Sequence, residues 1–262
     1  MGRVIDIVGE IQKSTVSKQM ITQFFQGIIE NSQAEMITYN SIREYKVEQE
    51  IGIRCAGFVR PFGNRACPLT QIINLQSDRN CNRNWKRNLK KAVGNGLIYE
   101  VIDRPTEQDA DTVCRLFDEL KQRKSLEFSL NKEKVANLLK QPEYSLHYVN
   151  RENSVLCARI IYSHEGQAAD VFAANSFEAM KYSATHFIME QIFRWLREQD
   201  AKTFDFSRIS PSAYETNTIY QFKDAAGGYS MQYLGEWIWT RKHYTQLLFC
   251  FYNFFLHHKH NY

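Results

Sequence analysis

The clearest hydrophobic periodicity in the chain falls between residues 184 and 196. Apolar side chains recur there at the spacing of one helical face, and charged residues fill the opposite face. The apolar set is Ala184, Phe187, Ile188, Ile192, Trp195 and Leu196. A stripe of this width indicates an amphipathic helix that packs on a core. We therefore expect a central helix here.

Short apolar runs separated by turn residues surround this helix and predict strands. From residue 97 onward the predicted strands are 97–102, 144–149, 155–162, 168–174, 203–207 and 229–239. Thr106 with Asp109 forms a capping box, and Asn131 is a second helix cap, so two helices follow the first strand. The resulting order, β-α-α-β-β-β-α-β-α-β, predicts a mixed α/β fold with a central mixed sheet flanked by helices.

The first 96 residues are less regular. Residues 16–29 predict a helix, residues 51–59 favour a strand, and residues 78–91 predict a basic helix with Trp85 on its apolar side. No linker rich in proline or glycine separates this part from the rest. We therefore expect the N-terminal segment to pack on the central domain.

We divide the chain into an N-terminal segment (1–70), an α/β domain (71–240) and an apolar C-terminal helix (241–262). Residues 247–256 (LLFCFYNFFL) are apolar on all sides but too few to span a bilayer. A helix docked on the core is the expected structure, and peripheral membrane contact is the alternative.

Composition narrows the class of protein. The 262 residues are 44% hydrophobic and carry a net charge of +4, which permits an anionic partner without requiring one. The six cysteines show neither a C-x-x-C pair nor zinc-ligand spacing, which favours buried thiols and no metal site. No transmembrane segment or signal peptide is predicted, because Asp6 interrupts the apolar run that a signal peptide needs. The expected location is the cytoplasm.

The candidate chemistry gathers at one predicted strand end. Residues 204–208 (FDFSR) read as a buried strand that ends in polar groups, and residues 220–223 (YQFK) lie in a helical segment that closes on Gly227-Gly228. Side chains and backbone N–H groups converge where strands end and helices begin. We therefore expect the active site there.

These segments resemble the FemAB-like acyltransferases of the GNAT superfamily. Three motifs carry the resemblance: residues 85–92 (WKRNLKKA) after Ile73-Asn74-Leu75, residues 182–195, and residues 204–207 with Phe222-Lys223 and Gly227-Gly228. Ser207 stands where the family usually has glycine. The likeness covers roughly residues 70–240.

The resemblance implies a GNAT-type acyltransferase. Such an enzyme would move an acyl or aminoacyl group, by direct attack, onto an amine of a cell-envelope or polysaccharide precursor. The activated donor would be an acyl-CoA or an aminoacyl-tRNA, and no metal is required. Residues 175–183 lack the glycines that let a loop bind a pyrophosphate closely, so the residues do not decide between the two donors.

Lys223 and Asp205 are the predicted catalytic residues. Lys223 could offer its cation to an oxyanion or a donor phosphate, whereas a solvated helix lysine is the structural alternative. Asp205 would need a partner such as Arg208 or Lys223, or would serve as a structural ion pair or cap. The predicted substrate-binding residues are Arg208, Asn175, Ser207 and Tyr220.

Two other features bear on function. His186 and Glu190 lie one helical turn apart, a spacing that permits an acid–base pair. A basic run could approach tRNA phosphates or an anionic membrane surface; its residues are Arg79, Arg83, Lys86, Arg87, Lys90 and Lys91. The alternative function is therefore a non-catalytic module that binds nucleic acid or an anionic envelope precursor through this helix.

Overall fold

The fold is that of a computed structural model, which describes residues 3–9, 16–61, 69–124, 129–209, 217–242, 247–248 and 251. The strands are β1 (Arg3–Val8), β2 (Ala34–Glu44), β3 (Leu69–Asn74), β4 (Ile98–Ile102), β5 (Tyr144–Arg151), β6 (Ser154–His164), β7 (Gln167–Asn175), β8 (Thr203–Asp205) and β9 (Tyr229–Thr240). The helices are α1 (Lys18–Asn31), α2 (Val47–Cys55), α3 (Arg83–Val93), α4 (Glu107–Lys124), α5 (Lys132–Leu139), α6 (Ala184–Glu198) and α7 (Thr218–Ala225), with a 3-10 turn at Glu178–Met180. The predicted mixed α/β class and the element order after residue 97 are confirmed.

The chain forms two compact units. The first comprises Met1–Thr70, Arg208–Gln221 and Ser230–Tyr262, and the second comprises Gln71–Ser207 and Phe222–Tyr229. Compact units need not coincide with domains, so the limits at residues 71 and 240 stay a prediction. The predicted C-terminal helix, residues 241–262, lies largely outside the described residues.

In the first unit, β2 pairs in parallel with β1 and antiparallel with β9. Sequence patterns predicted α1 correctly but did not predict β2. The predicted strand at 51–59 is wrong, because residues 47–55 form α2. Glu50 and Arg54 form an ion pair one turn apart on this helix. Gly52 lets α1 approach, since a Cβ there would lie 2.7 Å from the carbonyl oxygen of Lys18.

The second unit is built on strands in the order β3-β8-β7-β6-β5-β4. Neighbours are antiparallel except β7 and β8, which run parallel. Alternate residues of β5 enter different apolar cores: Val149 packs with α6, whereas Leu146 and Tyr148 pack with α4 and α5. Because side chains alternate along a strand, these helices cover opposite faces of the sheet.

The predicted central helix is α6. Its fully buried side chains lie on one stripe that faces the core, namely Ala184, Ile188, Met189, Ile192, Phe193 and Leu196. The predicted cap at Asn131 forms, since its side chain accepts from the Lys134 N–H. Of the predicted capping box, the Asp109 half forms: its carboxylate accepts from the N–H and the hydroxyl of Thr106. No helix in the described part of the chain is long and apolar enough to cross a bilayer.

Gly228 lies where the chain runs against the backbone of β3. A Cβ at this position would collide with the carbonyl oxygen of Ile72, which cannot move without disturbing the sheet. We expect Gly228→Ala to lower the free energy of unfolding by about 1–3 kcal/mol. Gly27→Ala in α1 is the matched control, because a Cβ there meets nothing within 4 Å and alanine favours helix. Equal midpoints for the two variants in urea denaturation would contradict this account.

Candidate active site

Strands β7 and β8 separate in the middle of the sheet. Their parallel pairing runs only from Gln167 and Thr203 to Ala169 and Asp205. β8 then ends, whereas β7 continues to Asn175. In the described residues, the strand pairing of β7 with β8 stops at Ala169, and the edge of β7 beyond Asp170 has no strand beside it, so a substrate could reach its backbone there.

A β-bulge lies where the two strands part. Ile161 of β6 pairs with Asp170, and Ile160 pairs with Phe172, so Val171 has no partner residue in β6. Bulges interrupt the regular hydrogen-bond ladder and redirect the strand. Val171 is 45% exposed. The bulge therefore leaves an exposed residue without a partner in β6 at the point where the cleft opens.

The tip of β8 is a tight turn held by side chains. The Oδ1 atom of Asp205 accepts a hydrogen bond from the Ser207 N–H at 2.7 Å. Ser207 adopts a left-handed conformation (φ 61°), which explains why the FemAB-like pattern has glycine there. Its hydroxyl donates to the carbonyl oxygen of Asp170 on β7. Asp205 and Ser207 thus shape the mouth of the cleft.

Lys223 reaches the same tip from α7. Its Nζ donates to the carbonyl oxygens of Phe206 and Ser207, at 2.6 and 2.9 Å. Its neighbour Phe222 packs edge-on against Phe206, which positions this turn of the helix. Burial lowers the pKa of Lys223 to about 8, although the nearby carboxylate of Asp170 opposes the shift. Lys223 is thus a half-buried cation that loses its charge at a lower pH than an ordinary lysine.

A buried ion pair joins this group, and sequence analysis did not predict it. Arg159 of β6 binds Asp170 of β7, and the two residues are only 5% and 7% exposed. Burial raises the pKa of Asp170, and the Arg159 guanidinium opposes that shift. Within the described structure, the Oδ1 of Asp170 and the Nε of Arg159 have no hydrogen-bond partner. An arginine inside the apolar run of residues 155–161 was the available signal.

Asn175 ends β7, and its buried Oδ1 has no partner among the described residues. The following segment reaches α6 through the 3-10 turn and Ser183, which takes a left-handed conformation (φ 56°). The turn ahead of the central helix thus forms without glycine. The first N–H groups of α6 follow it, and helix N-termini favour anions.

Arg208 and Tyr220 belong to the first unit. Arg208 binds the carboxylate of Glu236 at 3.0 Å and the side-chain oxygen of Asn40 at 2.7 Å. Tyr220 lies in the first turn of α7, and its N–H donates to the side chain of Asn217. The predicted roles of Arg208 and Tyr220 in substrate binding stay predictions.

The structure does not form the acid–base pair that the sequence permits. Glu190 binds Arg79, and Arg79 stacks over the ring of Phe193 at 4.5 Å. His186 lies 3.4 Å from the amide of Asn88, and burial lowers its pKa to about 4. Arg79 therefore also leaves the predicted basic run, because its guanidinium is buried in this ion pair.

The fold and the cleft define an acyltransferase of the GNAT type: parallel strands separate beside a bulge, and the central helix begins after the longer strand. The chain belongs to the acetyltransferase (GNAT) domain family, which matches residues 79–223. The predicted enzyme class is confirmed. In the described residues, no group of three or more His, Cys, Asp or Glu side chains could hold a metal ion.

Solved structures share this fold at low sequence identity. FemX superposes with a TM-score of 0.72 at 13% identity, over 93% of this chain and 82% of FemX. L-PGS from Bacillus licheniformis gives 0.65 at 13% identity, over 99% of this chain and 84% of that protein. The resemblance to the FemAB-like branch is thus confirmed as one of fold. No curated protein matches the chain significantly.

Proposed function

We propose that the chain transfers an acyl or aminoacyl group from an activated donor to an amine, in the cleft between β7 and β8. The observation that carries this proposal is the coincidence of three features at one point: the strand separation, the bulge at Val171 and the half-buried cation of Lys223. Acyl transfer needs a positioned carbonyl, a stabilised oxyanion and a proton acceptor.

In this mechanism the acyl carbonyl lies against the bulge, with the Lys223 cation near the developing negative charge. The amine nitrogen attacks the carbonyl carbon, a C–N bond forms, and the bond to the donor's sulfur or oxygen breaks. The unpartnered Oδ1 of Asp170 accepts the amine proton, which then passes to the leaving group. Asp205 and Ser207 hold the β8 tip that carries the two carbonyls bound by Lys223.

The donor carries phosphate in either form, acyl-CoA or aminoacyl-tRNA. The N-terminus of α6 is the expected phosphate position, because its N–H groups and dipole favour anions. Asn175, at the end of β7, lies just before this segment and supplies an unused side-chain oxygen. The acceptor is proposed to be an amine of a cell-envelope or polysaccharide precursor, which the fold likeness to FemX and L-PGS supports.

The positive charge of α3 supports the proposal that the donor is an aminoacyl-tRNA. Five exposed cations lie on this helix, which has no acidic residue: Arg83, Lys86, Arg87, Lys90 and Lys91. Each cation that neutralises a phosphate steepens the fall of affinity with salt. A peripheral contact with an anionic membrane is the alternative use of the same surface.

If α3 binds tRNA, Lys86→Ala with Lys90→Ala should weaken tRNA binding and flatten its salt dependence. The slope of log K against log salt should fall by about one for each lost contact. Lys132→Ala is the control, because this exposed lysine on α5 is paired with Asp111. Filter binding across a salt series measures both quantities. An unchanged slope in the double variant would remove tRNA from the proposal.

The proposed function itself is tested with the full chain and two donor sets. Acetyl-CoA and tRNA charged with single radiolabelled amino acids are each incubated with amine-bearing envelope precursors, and products are identified by mass spectrometry. We expect transfer from one donor set that is lost in Asp170→Asn. Absence of transfer from both sets, or full transfer by Asp170→Asn, would contradict the proposed mechanism.

A further inference from the structure

A cavity lies in the same unit as the candidate active site, but at the other end of the strands. It has a volume of about 630 Å³ and is bounded by Ile102 at the end of β4, Tyr144 at the start of β5 and the turn before β7 that contains Gly166. At ~3.3 Å per residue, the bulge at Val171 is about 17 Å further along the strand. The volume is in the range of small-molecule sites.

The cavity is acidic although the chain is basic overall. Three carboxylates line it, from Asp103, Glu143 and Glu165, against one lysine, Lys140. The Oε1 atom of Glu165 lies 3.7 Å from the Nε2 atom of His164, which also lines the cavity. Asp103 and Glu143 form no ion pair with any described residue. Their charges are therefore available to a ligand.

Two helices point their C-terminal ends at this cavity. Leu139 and Lys140 end α5, while Trp195 and Gln199 lie in and just after the last turn of α6, and all four line the wall. A helix C-terminus carries a partial negative charge. Its effect adds to that of the carboxylates, of which Asp103 and Glu165 are exposed and Glu143 is half-buried, so the cavity favours a cation.

Aromatic side chains form part of the wall, and one of them is held firmly. Trp195 packs edge-on against His147 at 4.8 Å. His147 is fixed by the hydroxyls of Tyr99 and Ser145, each at 2.8 Å, and burial lowers its pKa to about 3. The support of Trp195 is thus rigid and uncharged. Tyr144 lines the same cavity, and aromatic faces beside carboxylates suit organic cations.

We propose that this cavity binds an aliphatic diamine or polyamine. The carboxylates and helix ends would hold the ammonium groups, and Trp195 and Tyr144 would pack against the methylene chain. An inorganic cation would gain nothing from the aromatic wall. The site is separate from the bulge, so this proposal does not depend on acyl transfer by the chain.

The test is calorimetric titration of the full chain with 1,6-diaminohexane, against 1,6-hexanediol as the neutral analogue of equal length, at constant ionic strength. We expect saturable binding of the diamine only. Glu143→Gln and Asp103→Asn should each weaken it about three- to tenfold. Glu133→Gln, an exposed carboxylate of α5 outside the cavity, is the matched control and should change nothing.

Several results would overturn the proposal. Binding of the diol with similar affinity would show that charge is not recognised. An equal loss of diamine affinity in Glu133→Gln would show that the diamine is attracted by the general charge of the protein. Full displacement of the diamine by millimolar magnesium would show that the carboxylates bind an inorganic ion. Thermal unfolding of each variant verifies that the fold is retained, and unchanged affinity in folded Glu143→Gln and Asp103→Asn would also reject the site.

Discussion

Lys223→Met is expected to lower the rate of acyl transfer by about 10²–10³-fold. This is the typical cost of removing one group that stabilises the transition-state charge. Methionine keeps the length and apolar stem of the side chain but removes the cation that binds the Phe206 and Ser207 carbonyls. Steady-state kinetics measure the effect, and Lys134→Met, an exposed lysine on α5, is the control.

The pH dependence separates a catalytic role from a structural one. Burial lowers the pKa of Lys223 to about 8, so activity that needs its cation should fall as the pH rises through 8. The unfolded chain holds this proton up to a pH near 10.5, so between these values the unfolded state binds more protons. Stability contributed by this group therefore rises with pH in that window. Activity loss there without unfolding supports catalysis, and a flat profile would reject it.

Arg159→Met is expected to lower the free energy of unfolding by about 3–5 kcal/mol, because it leaves the carboxylate of Asp170 buried without its partner. Arg115→Met is the matched control, since Arg115 forms an exposed pair with Glu119, which contributes about 0.3–0.5 kcal/mol. Urea denaturation measures both. If Arg159→Met loses no more free energy of unfolding than Arg115→Met does, the buried pair is not important to stability.

A double variant and the pH give independent checks on the pair. Adding Asp170→Leu to Arg159→Met removes the stranded charge and should restore much of the lost stability. Burial raises the pKa of Asp170, and in Arg159→Met the guanidinium no longer opposes that shift, so above the ordinary pKa of 3.8 the native variant binds this proton more readily than its unfolded state does. Stability of Arg159→Met should therefore increase as the pH is lowered from 7 toward 5. No gain at lower pH would contradict this.

Local patterns predicted the second unit well because its elements are locally encoded. The stripe of α6 and the caps Thr106 and Asn131 specify helices through side chains within one or two turns. The alternating runs of β5 to β7 are joined by short turns, so their pairing is local too. The strand predicted at 51–59 failed, because α2 depends on packing against α1 through Gly52, which is distant in sequence.

The candidate site was predicted only in part, for a related reason. Residues 204–207 and Lys223 stand out as a motif, so sequence analysis reached the β8 tip. Sequence analysis did not identify Arg159 as the partner of Asp170. The two residues come from different strands, and only the register of β6 on β7 brings them together. The open edge of β7 depends on where β8 stops pairing, and the sequence of neither strand alone predicts that point.

By itself, the sequence determined the element order, the central helix and the strand tip at Asp205 and Ser207, because spacing and capping act between near neighbours. It also pointed to Lys223. Only the tertiary structure decided the bulge at Val171, the buried Arg159–Asp170 pair and the acidic cavity near Glu143, since each arises from strands and helices that meet across long stretches of chain. Charges buried by such meetings take their pKa values from the fold and not from their sequence neighbours.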